Sequence, residues 1–216
     1  MFRLTPVVKN LIIINVVVFL AQQVFNDLSS CILSVNGQTG QINLGLTGLL
    51  SLWRMDLCPY KPYQFFTYMF AHGGFMHIFF NMLALASFAP ILENYWGDKK
   101  FLIFYLATGI GAGIIYAVIN QFLHPTLTSD VAPSMLGASG ALYGILMAFG
   151  LIFPNLEIML LFPPIPLKAK YMVFVIGGMT FLMDRSGSVA HLAHFGGAFV
   201  AFVIIKLIWR DQGSGY

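Results

Sequence analysis

Six apolar runs constrain this chain more than any other feature. A helix needs roughly 20 apolar residues to cross the hydrocarbon core of a bilayer. Stretches near that length recur at about residues 8–25, 75–91, 101–122, 138–153, 171–184 and 189–209. The second starts near residue 65 if the aromatic run there is included, and the fifth is short unless it borrows from 165–170. Charged residues make up only 9% of the 216 and hydrophobic ones 58%, whereas a soluble domain carries about 25% charged residues. Such a chain cannot clothe a globule in polar groups. The reading is an all-α integral membrane protein, a six-helix bundle forming one domain over 1–216. Basic residues are scattered singly or in pairs, with a net charge of +3, which excludes the basic stripe of a nucleic-acid binder. The first run lacks a small-residue cleavage site and reads as a retained helix rather than a signal peptide.

Residues 26–64 form a long polar connector that holds both cysteines, Cys31 and Cys58. In an oxidising compartment they can pair; otherwise they are two free thiols. The segment "FPPIPLKAKY" at 162–171 cannot be a straight helix, because Pro163, Pro164 and Pro166 remove donors and clash with the preceding turn. Orientation follows from the basic residues. With the N-terminus in the cytoplasm, Arg3, Lys9, Lys99, Lys100, Lys168, Lys170, Lys206 and Arg210 lie inside, and Arg54, Lys61 and Arg185 lie outside. The expectation is N-in and C-in, with the 26–64 connector outside, in a bacterial cell membrane.

Polar groups within the hydrocarbon are costly, so they face the bundle interior or a watery cavity. Helix two carries His77 and Asn81, spaced i to i+4 on one face. Helix four opens at "MLGASGALYG", residues 135–144, with Ser139 and, one turn later, Tyr143. Helix six carries His191 and His194. In the N-in topology all three helices run from outside to inside, and each bears these residues early. A lone serine can back-bond to its own helix, and a His–Asn pair can be interhelical glue. Their shared depth on three helices points instead to one cavity open to the outer face.

A serine attacks a carbonyl only when a base removes its proton, and the bases at the depth of Ser139 are histidines. Asp130 and Asp184 fall at the outer ends of the spans, so a Ser–His dyad is expected rather than a triad with a carboxylate. Donors for the oxyanion are the Ser139 backbone N–H and the side chains of His77 and Asn81. Spacing does not choose between His191 and His194 as base; Gly196 and Gly197 favour His194 by allowing helix six to approach helix four. His72 is assigned a loop hydrogen bond or a water contact. The assembly suits peptide hydrolysis. There is no P-loop and no H-E-x-x-H helix, so no ATP, metal or cofactor is expected.

The motifs "GASG" at 137–140, "HIFFN" at 77–81 and "AHFGG" at 193–197 resemble those of the rhomboid intramembrane serine proteases, across essentially the whole six-helix core. The resemblance implies Ser139 as nucleophile and His194 as base, with Tyr143 packed on the imidazole. It implies His77 and Asn81 as oxyanion side chains and Gly137 as part of the serine loop. Trp53 and Arg54 resemble the family's first-loop pair, and Glu93 and Gly97 a polar brace after helix two. Two departures stand out: Ala201 replaces a frequent glycine, and the Trp–Arg pair lies farther before helix two than the family pattern has it. Implied substrates are single-span membrane proteins with helix-destabilising segments and small residues near the cut, admitted by movement of helix five and the 162–171 segment. Two other readings compete. One is a metal or proton transporter lined by His72, His77, His191 and His194, since imidazoles bind zinc and copper. The other is a non-catalytic rhomboid-like chaperone, though such relatives usually lose the serine or the histidine.

Overall fold

The computed structural model describes residues 4–35, 38–57, 59–123, 134–159, 165–183 and 188–209. Its first helix, α1 (Pro6–Val24), starts with a proline where a missing N–H costs nothing. The orphan donors of its first turn go to one carboxylate: Thr5 Oγ1 and Val8 N donate to Glu93 Oε2 at 2.5 and 2.9 Å, and Val7 N to Oε1 at 2.9 Å. Glu93 is 1% exposed; a buried carboxylate is tolerable because these bonds and the positive end of the helix compensate it. The brace expected after the second long helix therefore ties that helix to the start of the first.

The polar connector is more ordered than a loop. Strands β1 (Ser29–Val35) and β2 (Gln38–Leu44) pair antiparallel, Ser29 opposite Leu44. Cys31, on β1, is disulfide-bonded; the chain's other cysteine, Cys58, lies outside the described residues. Helix α2 (Leu46–Leu50) leads into the two-residue strand β3 (Leu52–Trp53). Arg54 is buried and grips Asp56 bidentately at 2.8 and 2.9 Å, which holds that carboxyl below its usual range. The short α3 (Gln64–Thr67) and a 3₁₀ turn (Tyr68–Phe70) then occupy the stretch before α4 (Phe75–Trp96). These two turns account for the extra distance between the Trp–Arg pair and the second long helix.

Next come α5 (Asp98–Leu123), the strand β4 (Ser134–Met135), α6 (Ser139–Ile152), a strand pair β5 (Glu157–Met159) and β6 (Pro166–Lys168), α7 (Ala169–Met183) and α8 (Ser188–Val203). A π-helical turn, Ile204–Ile208, closes the last helix and is marked by the Trp209 N–H bond to Ile204 O. It seats Trp209 on Trp96 and Phe104, with ring centroids 5.0 and 5.7 Å apart. The short strands sit in the connectors of a mostly helical protein.

Among the described residues, four helices are long and apolar enough to cross a membrane: 6–24, 75–96, 98–122 and 191–208. Two shorter apolar helices cover 139–152 and 169–179. Large apolar side chains face outward along the long helices, among them Val17, Leu20, Phe75 and Phe80, a surface that water does not tolerate at this extent. The protein is an integral membrane protein. At its centre lies α6, packed by α4, α5, α7 and α8 and buried from Gly140 to Leu146. Phe101, Phe104, Tyr105 and Tyr116 of α5, with Phe149 of α6 itself, are among the largest side chains buried in this core.

Candidate active site

The site is assembled from three close approaches. The first is at Gly137, just before α6. Its φ of 112° lies in the region open to glycine, and its N–H donates to Tyr68 O at 2.9 Å. A Cβ here would stand 2.7 Å from His77 Nε2 and 3.6 Å from Asn81 Nδ2. Only glycine lets this loop lie against the α4 face that carries His77 and Asn81. Upstream, β3 and β4 pair Leu52 with Met135 and Trp53 with Ser134, so the Trp–Arg stretch steadies the approach to the same loop.

The second approach joins α6 to α8. A Cβ on Gly197 would fall 1.8 Å from Gly140 O, so the two backbones touch at that point. One turn along each helix, Tyr143 and His194 stack in parallel, centroids 4.1 Å apart and planes 8° apart. Ser139 lies four residues before Tyr143 on the same face of α6. The ring that Tyr143 covers is that of His194; His191, three residues earlier, is also half-buried. Ser139, His77 and His194 are all half-buried, whereas Asn81 is 7% exposed.

Hydrogen-bond donors gather between these contacts. The first backbone N–H groups of α6 have no acceptor within the helix, until Leu142 N reaches Ala138 O at 3.0 Å. The Asn81 Nδ2 donor is buried and has no acceptor among the described residues. Leaving such a donor unpaired costs about 1–3 kcal/mol. It is therefore a group available to an oxygen that arrives from elsewhere. Gly137 is not such a donor, since its N–H is committed to Tyr68.

A third approach brings His72 beside His77, their rings edge to face with centroids 5.1 Å apart. Burial, with His77 next to it, lowers the His72 imidazole to about 4. His72 Nδ1 lies 3.3 Å from Phe70 O, and its backbone is held by Gln22 of α1. Asp130 and Asp184 lie outside the described residues. Among the described residues, no three His, Cys, Asp or Glu side chains form a group that could hold a metal ion.

The rhomboid domain model matches residues 59–211, which is most of the chain and includes His77, Asn81, Ser139, Tyr143 and His194. The chain belongs to the rhomboid family. It is similar to rhomboid protein 1, mitochondrial, of Saccharomyces cerevisiae, 36% identical over 133 residues that cover 60% of this chain and 37% of that protein. The presenilin-associated rhomboid-like protein, mitochondrial, of Homo sapiens is 27% identical over 156 residues, 66% of this chain and 38% of that one. Rhomboid-like protease 5 of Toxoplasma gondii is 36% identical over 80 residues, 37% of this chain and 8% of that one. The chain thus spans less than two-fifths of the length of each of these relatives.

Within this rhomboid domain, the motifs mark Tyr143 and His194, which stack, and Gly137, His77 and Asn81, which lie together, but not the residues that hold them. Tyr68, whose hydroxyl donates to Gly109 O at 2.6 Å and whose carbonyl fixes Gly137, carries no sequence signal for that task. Gln22 and Thr47 carry none either. The one hint for Gln22 is an uncharged amide near the end of an apolar run, where an interfacial residue is the ordinary reading.

Proposed function

We propose that this rhomboid-family chain is an intramembrane serine endopeptidase that hydrolyses peptide bonds in or near transmembrane segments of other membrane proteins. The observation that carries the reading is the parallel stack of Tyr143 on His194, one helical turn from Ser139. In this reading His194 takes the proton of Ser139 as the hydroxyl oxygen bonds to the substrate carbonyl carbon. The resulting oxyanion is met by the Ser139 N–H, by His77 and by the unpaired Asn81 amide. Collapse expels the amine, which receives the proton from His194. Water, activated by the same imidazole, then frees the acyl group and restores the hydroxyl.

The length of α6 supports a site below the membrane surface. Fourteen residues make a helix of about 21 Å, short of a hydrocarbon core of about 30 Å. A helix of that length, enclosed by its neighbours, can begin within the hydrocarbon at Ser139. We take α6 and α7 as the two further spans of a six-helix bundle. The distribution of Lys and Arg supports N-in and C-in, and in this reading the site opens to the outer face of a bacterial cell membrane. Substrates would be helices with glycine, proline or small residues near the cut, because a carbonyl must leave its helical hydrogen bond before it can be attacked.

Purified protein in lipid, mixed with a reporter substrate bearing one transmembrane helix, provides the test. Ser139→Ala should abolish cleavage, and a fluorophosphonate should label Ser139 in the parent alone. Unaltered cleavage by Ser139→Ala defeats the mechanism. A parent that neither cleaves nor labels, yet binds the reporter, points to the non-catalytic chaperone reading.

A further inference from the structure

Gln22 sits near the end of α1, before the stretch that the rhomboid domain matches, and is 2% exposed. Its side-chain amide is fully used. Nε2 donates to Thr47 Oγ1 at 2.7 Å and to His72 O at 3.2 Å, while Oε1 accepts from His72 N at 3.0 Å. The two bonds to His72 grip one residue's backbone from both sides, as a neighbouring strand would. The next residue in the chain reaches the site. Gly73 N donates to His77 Nδ1 at 3.4 Å. A neutral imidazole that accepts at Nδ1 carries its proton at Nε2. Nε2 is the atom that faces Gly137, close enough that a Cβ there would stand 2.7 Å away.

We propose that Gln22 is a positioning residue for the reaction: by clamping His72 it holds the Gly73 N–H against His77 Nδ1, which keeps the His77 proton on Nε2, aimed at the oxyanion. The inference rests on the reading of His77 as an oxyanion donor. His72 contributes through shape. Its ring is anchored at Phe70 O and stands edge-on to His77, which restricts rotation of the His77 ring. Thr47, on α2, receives the remaining Gln22 donor but does not touch His72 through that bond. The geometry therefore separates a bond that only ties α1 to α2 from two bonds that reach the site.

Steady-state cleavage by four single variants and one double variant in lipid tests this. His77→Ala should lower kcat on the order of 100-fold, the loss of one oxyanion donor. Gln22→Met, similar in length but unable to bond, should lower kcat on the order of tenfold with KM unchanged, the pattern of an interaction that matters only in the transition state. Gln22→Glu, which keeps the acceptor for His72 N, should fall between Gln22→Met and the parent, and it stands in if Gln22→Met does not fold. Thr47→Val should lower the Tm while leaving kcat as in the parent. The double variant Gln22→Met with His77→Ala should be no slower than His77→Ala alone. Nitrogen-15 spectra should show a protonated Nε2 on His77 in the parent and a mixture of tautomers in Gln22→Met. If His77→Ala leaves kcat unchanged, the oxyanion reading falls and this inference with it. If His77→Ala is slow while Gln22→Met is not, or if Gln22→Met and Thr47→Val act alike, the inference falls alone.

Discussion

Two of the helices packed on α6 are held very differently. On one side, α8 lies along both α5 and α6; its backbone meets Gly140 at Gly197, and its far end is pinned by Trp209 on Trp96 and Phe104. On the other side, α7 packs on α6, touches α8 only lightly, and exposes Tyr171, Phe174 and Met179. A Cβ on Gly177 would come no nearer than 3.6 Å to Tyr143, and one on Gly178 would meet nothing within 4 Å. The contrast teaches where precision is needed. In the proposed reaction serine and imidazole must keep a fixed relation, and the helices that carry them interlock at glycines. In the proposed reaction a bulky substrate helix has to come in, and α7 is the wall with least to lose by moving.

The largest effect should follow from damage to the interlocked side. Gly197→Ala forces α8 away from Gly140, and overpacking of this kind costs about 1–3 kcal/mol. Tm should fall by several degrees, and cleavage should be lost, because the stack of Tyr143 on His194 is displaced. Next in size is Tyr143→Leu, which keeps apolar volume but removes the ring contact. A stacked pair is worth about 1 kcal/mol beyond its buried area, so kcat should drop roughly fivefold to tenfold with little change in Tm. The smallest effect belongs to the loose side. Gly178→Ala adds a methyl group to open space in a helix and should raise stability by about 0.5–1 kcal/mol. Its Tm, measured beside that of Gly197→Ala, is the sharpest check. Equal destabilisation by both substitutions would erase the distinction between the two helices.

The same division governs how much of the molecule is legible in its sequence. Apolar run length is a direct consequence of bilayer thickness, so the long helices emerge within a few residues of where composition puts them: 6–24 for α1 against an expected 8–25. The motif residues stand out because polar groups are rare inside a membrane; of them, the structure brings Tyr143 to His194 and Gly137 to His77 and Asn81. The 26–64 connector reads as loop and yet holds a strand pair, since polar composition alone says little about pairing. The Asn-Gly pair at 36–37 between strand-like residues is the hairpin signal that composition hides. Harder still are bonds such as that of Gln22, whose partner lies fifty residues away. No local period encodes an amide that serves as a surrogate backbone, and only the fold brings the two together.

The wide turn at 204–208 has a consequence for how α8 does two jobs. A rod of constant pitch presents residues in one unbroken phase, so re-aiming either end would re-aim the other. The extra residue in a π turn resets that phase between the imidazole at 194, which looks toward α6, and the indole at 209, which looks toward α4 and α5. The ring stack and the anchorage are thereby uncoupled along a single helix, and each contact can be tuned without rotating its counterpart.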